Sequence, residues 1–243
     1  WNRQGHDHGA ALARDLGYLP VYLHYNTGLH ISQNGREFAG LIEVFINQLP
    51  QPIEFLIIAH SMGGLVSRSA CHYGKVAGHS WLNHLLKIVF LGTPHHGAPL
   101  ERAGNWIDII LEISPYSAPF SRLGKIRSAG VTDLRYGNIL DEDWKERDRF
   151  QCSGDHRIAV PLPDGLQCYT IAATTGKKMS ILGDRLIGDG LVTLNSALGR
   201  HKNADLNLLF PKTHQWIARD MNHMDLLNQP EVYETIKRWL ESE

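Results

Sequence analysis

A mostly parallel, doubly wound α/β sheet is the fold this sequence predicts, and three observations predict it. Apolar strand-like runs alternate with helical periodicities three times before residue 91. Residues 86–91 form an apolar run broken only by Lys87, as in a strand buried on both faces. The segment Ala59-His60-Ser61-Met62-Gly63 then supplies a small-x-Ser-x-Gly turn between an apolar strand and a helix. With 243 residues, 43% of them hydrophobic, the chain suits one large domain over 1–243 better than two small ones.

The elements follow in order. Asp7 can cap a short helix that ends near Gly17, and residues 19–25 read as a strand. Asn34 with Glu37 makes a capping pair, after which Phe38, Leu41, Ile42, Phe45 and Leu49 recur at helical spacing. Residues 53–58 form the strand before the serine turn, and a helix begins at about Met62. Right-handed crossovers then make the sheet parallel. From about 98 to 164 the alternation lapses, and residues 100–113 give a strongly apolar helical stretch with Trp106, Ile107, Ile109, Ile110 and Leu111. This segment is expected to be a helical cap or lid insertion lining an acyl pocket, against the plainer reading of an amphipathic helix over the core. The sheet resumes over 167–173, and a last helix over 230–239 is introduced by Asn228 and Glu231.

Composition excludes several classes of function. A net charge of −1 with no Lys/Arg block gives no electrostatic reason to bind nucleic acid or an anionic membrane. No apolar run reaches the length of a membrane span, and residues 1–9 lack a signal-peptide pattern. Cys71, Cys152 and Cys168 are an odd number at no metal-ligand spacing, which favours free thiols and a cytoplasmic setting over a Cys152–Cys168 bridge. The 14 histidines are dispersed.

A serine forced into a strained, positive-φ turn has its hydroxyl lifted clear of the sheet. That hydroxyl is a weak nucleophile unless a histidine takes its proton and an acid fixes the histidine's tautomer. The order expected on such a sheet is serine, acid, histidine. Asp189, in Ile187-Gly188-Asp189-Gly190-Leu191-Val192, and His223, in Met221-Asn222-His223-Met224-Asp225, fit that order in strand-end loops. Asp184 is the alternative acid and His214 the alternative base, while Asp205 and Asp220 read as loop residues. Plainer readings make Asp189 a turn carboxylate and His223 a histidine bonded to a carbonyl. The backbone N–H of Met62 is the first oxyanion donor. His60, His95 and Leu191 are candidates to line the substrate pocket. Adjacent histidines on an extended chain point apart, so His95 and His96 do not make a metal pair.

Four separated motifs, at residues 58–65, 91–97, 188–192 and 221–229, together resemble the lipase/esterase branch of the α/β-hydrolases, close to bacterial lipases and the PGAP1-like hydrolases. The resemblance runs through nearly the whole chain. It implies Ser61 as nucleophile, Asp189 as acid and His223 as base in a cofactor-free hydrolysis of a small ester or lipid. A thioesterase, acyltransferase or amidase would use the same triad, and a catalytically silent binding domain would keep the fold. The resemblance also implies a His-Gly motif after an early strand as second oxyanion donor. None precedes the serine turn in a suitable context, so a further N-terminal segment with one or two strands is expected. Asp225 and Gln229 stand two and six residues after His223, as calcium ligands do in some bacterial lipases; ordinary capping of the last helix is the preferred reading, with no metal.

Overall fold

The computed structural model describes residues 5–98, 128–145, 155, 157–176 and 188–242. The apolar stretch 100–113, Asp184 and Cys152 lie outside them. Within them, Asp7 accepts the amide of Ala10 at 2.9 Å and opens α1 (His8–Leu16), which Gly17 closes in the left-handed region at φ 73°. Residues 19–25 do not form the expected strand: they are irregular and find no partner strand among the described residues, leaving Leu19 85% and Val21 71% exposed. Apolar, β-prone composition does not by itself make a strand, which also needs a ladder partner.

Helix α2 (Ile31–Asn47) starts earlier than the Asn34–Glu37 pair suggests. Gln33 accepts the amide of His30, and the Asp133 carboxylate takes both the His30 ring and the amide of Ile31, each at 2.9 Å. Asn34 is buried inside the helix and donates to the carbonyl of Asn26. The buried stripe runs through Ile31, Ala39, Ile42 and Ile46, with Leu41 and Phe45 exposed. Angular position around the helix, and not side-chain size, thus sets the contact face: three isoleucines and an alanine are buried on it, and Leu41 and Phe45 fall outside it.

Four strands, β1 (Phe55–His60), β2 (Leu85–Leu91), β3 (Gln167–Thr174) and β4 (Gln215–Arg219), pair in chain order, and every pairing is parallel. The register matches Ile58 with Val89, Val89 with Tyr169, and Ile171 with Trp216. Alternation sorts the side chains to two faces. Val89, Leu91, Ile171 and Ala218 pack on α1 and on the last helix, α6 (Pro230–Glu241). Ile88, Phe90 and Cys168 pack on the other side with α2 and the helix after β1, α3 (Met62–Ala77). Helices therefore cover both faces, as the alternation requires.

Between β2 and β3 the described chain contains α4 (Ala129–Tyr136) and a single 3-10 turn at Asp141–Asp143. A short α5 (Leu194–Ala197) follows the loop after β3, capped by Thr193. Pro230 occupies the first turn of α6 and Gln229 precedes it without a side-chain cap, so Asn228 is not the capping residue. Cys71 and Cys168 are buried free thiols, so no bridge to Cys168 forms, and burial pushes both up to about 12. Among the described residues no helix is long and apolar enough to cross a membrane.

Candidate active site

All four strands are parallel, so their C-terminal ends share one edge. The loops that leave it begin at Ser61, Gly92, Thr175 and Asp220. Ser61 joins β1 to α3 at φ 56° and ψ −125°, one of two non-glycine residues with positive φ among those described. Its amide donates to the Leu91 carbonyl at 2.9 Å, tying the turn to β2. The close approach behind the serine is at Gly64, where an added methyl would overlap the Thr93 side chain. At Gly63, the glycine of the motif, the nearest atom to such a methyl is the Tyr25 hydroxyl at 3.9 Å. Crowding therefore selects the second glycine of the pair.

Asp189 and His223 are each 2% exposed, and His223 Nδ1 lies 2.7 Å from Asp189 Oδ2. Backbone geometry fixes the carboxylate: its Oδ1 accepts the amides of Leu191 at 2.9 Å and Val192 at 2.8 Å. That leaves Oδ2 directed at the imidazole. The two loops are also stitched by the His223 amide, which donates to the Asp189 carbonyl at 3.2 Å. The Met221 amide donates to Thr174 at the end of β3. Asn222 and Asp225 cap each other across the following turn: Asp225 Oδ2 accepts the Asn222 amide, and Asn222 Oδ1 accepts the amides of Met224 and Asp225. Asp225 thus serves in capping, and among the described residues no group of three or more His, Cys, Asp or Glu is placed to hold a metal.

Two contacts to His223 are not readable from motifs. Gly92 stands at φ 56°, and a Cβ there would lie 3.0 Å from the imidazole of His223 and 2.9 Å from Leu226, so only glycine leaves room for the ring. His60 does not stand apart as pocket lining. Its Nε2–H donates to the His223 carbonyl at 3.1 Å, and the two rings lie 4.5 Å apart. Since His60 is bonded to Ser61, the histidine loop is pinned next to the serine turn.

The other candidates separate. Met62 is buried at the start of α3 in one apolar cluster with Leu191, and its amide, in the first helical turn, has no intrahelical acceptor. His95 is placed elsewhere than the expected pocket wall: it is fully buried, packs on Phe90 and Phe210, and lines a cavity bordered by neither Ser61, Asp189 nor His223. His214 directly precedes β4, at the opposite edge of the sheet, where its ring bonds the Cys168 carbonyl and stacks on Tyr169. Asp205 sits in a 3-10 turn and Asp220 in the turn after β4.

The family model of the PGAP1-like alpha/beta domain matches residues 7–173, more than half of the chain and the whole of the serine turn. The chain belongs to that family. A solved structure with the same architecture as this PGAP1-like domain is the mature form of the Bacillus licheniformis lipase BlEst2. It matches with a TM-score of 0.57 at 17% identity, over 96% of this chain and 84% of that one. EstA from Clostridium botulinum matches with a TM-score of 0.40 at 15% identity, over 77% of this chain and 64% of that one. No curated protein has a matching sequence. The PGAP1-like domain thus has the α/β-hydrolase fold found in bacterial lipases.

Proposed function

We propose that this domain is a serine hydrolase of carboxylic esters that works through an acyl-enzyme. In this reading Ser61 Oγ attacks the ester carbonyl while His223 Nε2 takes the hydroxyl proton. The Met62 amide stabilises the oxyanion. Collapse of the tetrahedral intermediate breaks the ester C–O bond, and His223 returns the proton to the departing alkoxide. Water then attacks the acyl-serine with His223 again as base, releasing the acid and restoring Ser61. Asp189 holds Nδ1–H throughout and balances the imidazolium charge.

One observation carries the reading: a buried carboxylate–imidazole pair at 2.7 Å, its free rotations removed by backbone hydrogen bonds, is tethered to the residue before a positive-φ serine. Folding alone gives no reason to bury two ionisable groups there, whereas general-base catalysis needs them. An ester substrate is favoured over an amide or thioester by the likeness to a lipase.

Fluorophosphonate labelling together with turnover of p-nitrophenyl esters tests the proposal. Wild-type protein should be labelled at Ser61, and Ser61→Ala should lose labelling and turnover. Undiminished hydrolysis by a folded Ser61→Ala protein overturns it.

A further inference from the structure

The irregular segment at 19–25 leaves Leu19 and Val21 exposed, but its last residue turns inward. Tyr25 packs against the apolar cluster that contains Met62 and Leu191, the first residue after Ser61 and the second after Asp189. The turn that follows it is fixed from two sides. Asn26 Oδ1 accepts the Gly28 amide at 2.9 Å, and the Asn26 carbonyl accepts from Asn34 Nδ2 at 2.9 Å and from the Leu29 amide at 3.2 Å. At Gly130 an added methyl would overlap the Thr27 carbonyl, so α4 closes on the same turn. Tyr25 is thus presented from a braced loop.

Its hydroxyl meets the serine turn. Tyr25 Oη is the nearest atom, at 3.9 Å, to a methyl placed on Gly63. A helical Cα–Cβ bond tilts toward the helix N-terminus, so this contact lies at the end of α3 from which the Met62 and Gly63 amides emerge without intrahelical acceptors. Among the described residues nothing hydrogen-bonds the hydroxyl. Burial pushes the phenol above its ordinary range, so it keeps its proton and has a hydrogen bond to donate. A recessed hydroxyl without a partner costs about 1–3 kcal/mol unless water or a ligand satisfies it. Phenylalanine would serve the packing equally well.

We infer that Tyr25 is a further catalytic residue of the proposed ester hydrolysis, its hydroxyl acting as the second donor to the oxyanion beside the Met62 amide. The inference rests on the reading of Ser61 as nucleophile. An acyl-transfer oxyanion is ordinarily held by two donors, and the Met62 amide supplies one. As Ser61 Oγ adds to the carbonyl carbon, the C=O π electrons move onto the oxygen, and the Tyr25 O–H donates a hydrogen bond to it without giving up its proton. The same electron pair re-forms the carbonyl when the ester C–O bond breaks. A donor that answers to this developing charge acts on kcat and little on KM.

Tyr25→Phe keeps the ring and removes only the hydroxyl. In hydrolysis of p-nitrophenyl esters its kcat should fall by about 10²–10³-fold with KM little changed. Its melting temperature should be no lower than that of wild type, because no protein group loses a hydrogen bond. Fluorophosphonate should still label Ser61 in the variant, but more slowly. In crystals of wild-type protein carrying a boronic acid adduct on Ser61, one boronate oxygen should lie about 2.7–3.1 Å from both Tyr25 Oη and the Met62 amide. Wild-type kcat in Tyr25→Phe, a change confined to KM, or a boronate oxygen beyond hydrogen-bond reach of Oη overturns this inference and leaves the reading of Ser61 intact. Wild-type protein that neither turns over esters nor takes the label overturns both.

Discussion

Replacing Gly92 with alanine tests whether the imidazole of His223 is held by shape as well as by hydrogen bonds. Two costs arise. The residue sits at φ 56°, where an L side chain costs about 1–2 kcal/mol. The new methyl would also lie 3.0 Å from the ring, against 3.4 Å for the start of ordinary contact, so the ring must retreat by 3.4 − 3.0 = 0.4 Å. A displacement of 1 Å costs about a hundredfold in turnover, so a shift of this size should lower kcat by about 3–10-fold with KM little changed. The backbone cost should lower the melting temperature by about 2–8 °C. Gly78 supplies the control. It closes α3 at φ 69° with nothing within 4 Å of an added methyl, so Gly78→Ala carries the same backbone cost without touching the site. Steady-state kinetics on a p-nitrophenyl ester, run well below both midpoints, separate the two effects. If Gly92→Ala keeps wild-type kcat while melting like Gly78→Ala, the reasoning about the ring is wrong.

Other consequences follow from the same geometry. Asp189→Asn should lower kcat by about 10³–10⁴-fold. The amides of Leu191 and Val192 hold the side-chain oxygen on their side, so the new NH₂ faces His223 Nδ1 and forces the tautomer that cannot accept the serine proton. Gly64→Ala should cost about 1–3 kcal/mol by overpacking against Thr93, while Gly63→Ala, with open space around it, should melt no lower than wild type; calorimetry of the pair decides between the two glycines. Stability should fall as pH drops below about 6.5, because buried His8, whose Nε2–H donates to the Leu226 carbonyl, stays neutral in the fold but takes up a proton when unfolded. His8→Asn should flatten the slope of unfolding free energy by up to about 1.4 kcal/mol per pH unit, measured by denaturant titration between pH 7 and pH 5.

What the sequence made legible is what local pattern determines. The run at 86–91 and the serine turn mark β2 and the β1–α3 junction because apolar periodicity and a small-x-Ser-x-Gly spacing are set by neighbouring residues. Strand β4 is not marked: only Trp216, Ile217 and Ala218 are apolar between Gln215 and Arg219, too few to show a period. Residues 19–25 mislead in the opposite sense, since apolar residues are enriched there and yet pair with no strand among the described residues. Asn34 looks like the better cap, yet Asp133, about a hundred residues away, fixes the start of α2 through His30 and Ile31. The order Ser61, Asp189, His223 is readable from motifs. Gly92 against the imidazole and His60 on the His223 carbonyl are not, because each depends on loops that meet only after the sheet has formed.

These non-local contacts explain why the site can be rigid although it is assembled from loops. The ring of His223 is reached from three separate segments: Asp189 Oδ2 fixes Nδ1, Gly92 bounds one side, and His60 holds the backbone from which the ring hangs. Asp189 is in turn fixed by two amides of its own loop. Each segment lies at the same edge of a parallel sheet, so sheet register sets their relative positions. In the proposed hydrolysis, preorganisation of this kind would lower the barrier without strengthening ground-state binding. Substitutions at Gly92 or His60 should therefore appear in kcat far more than in KM, and together they should be less than additive, because both act by moving one imidazole.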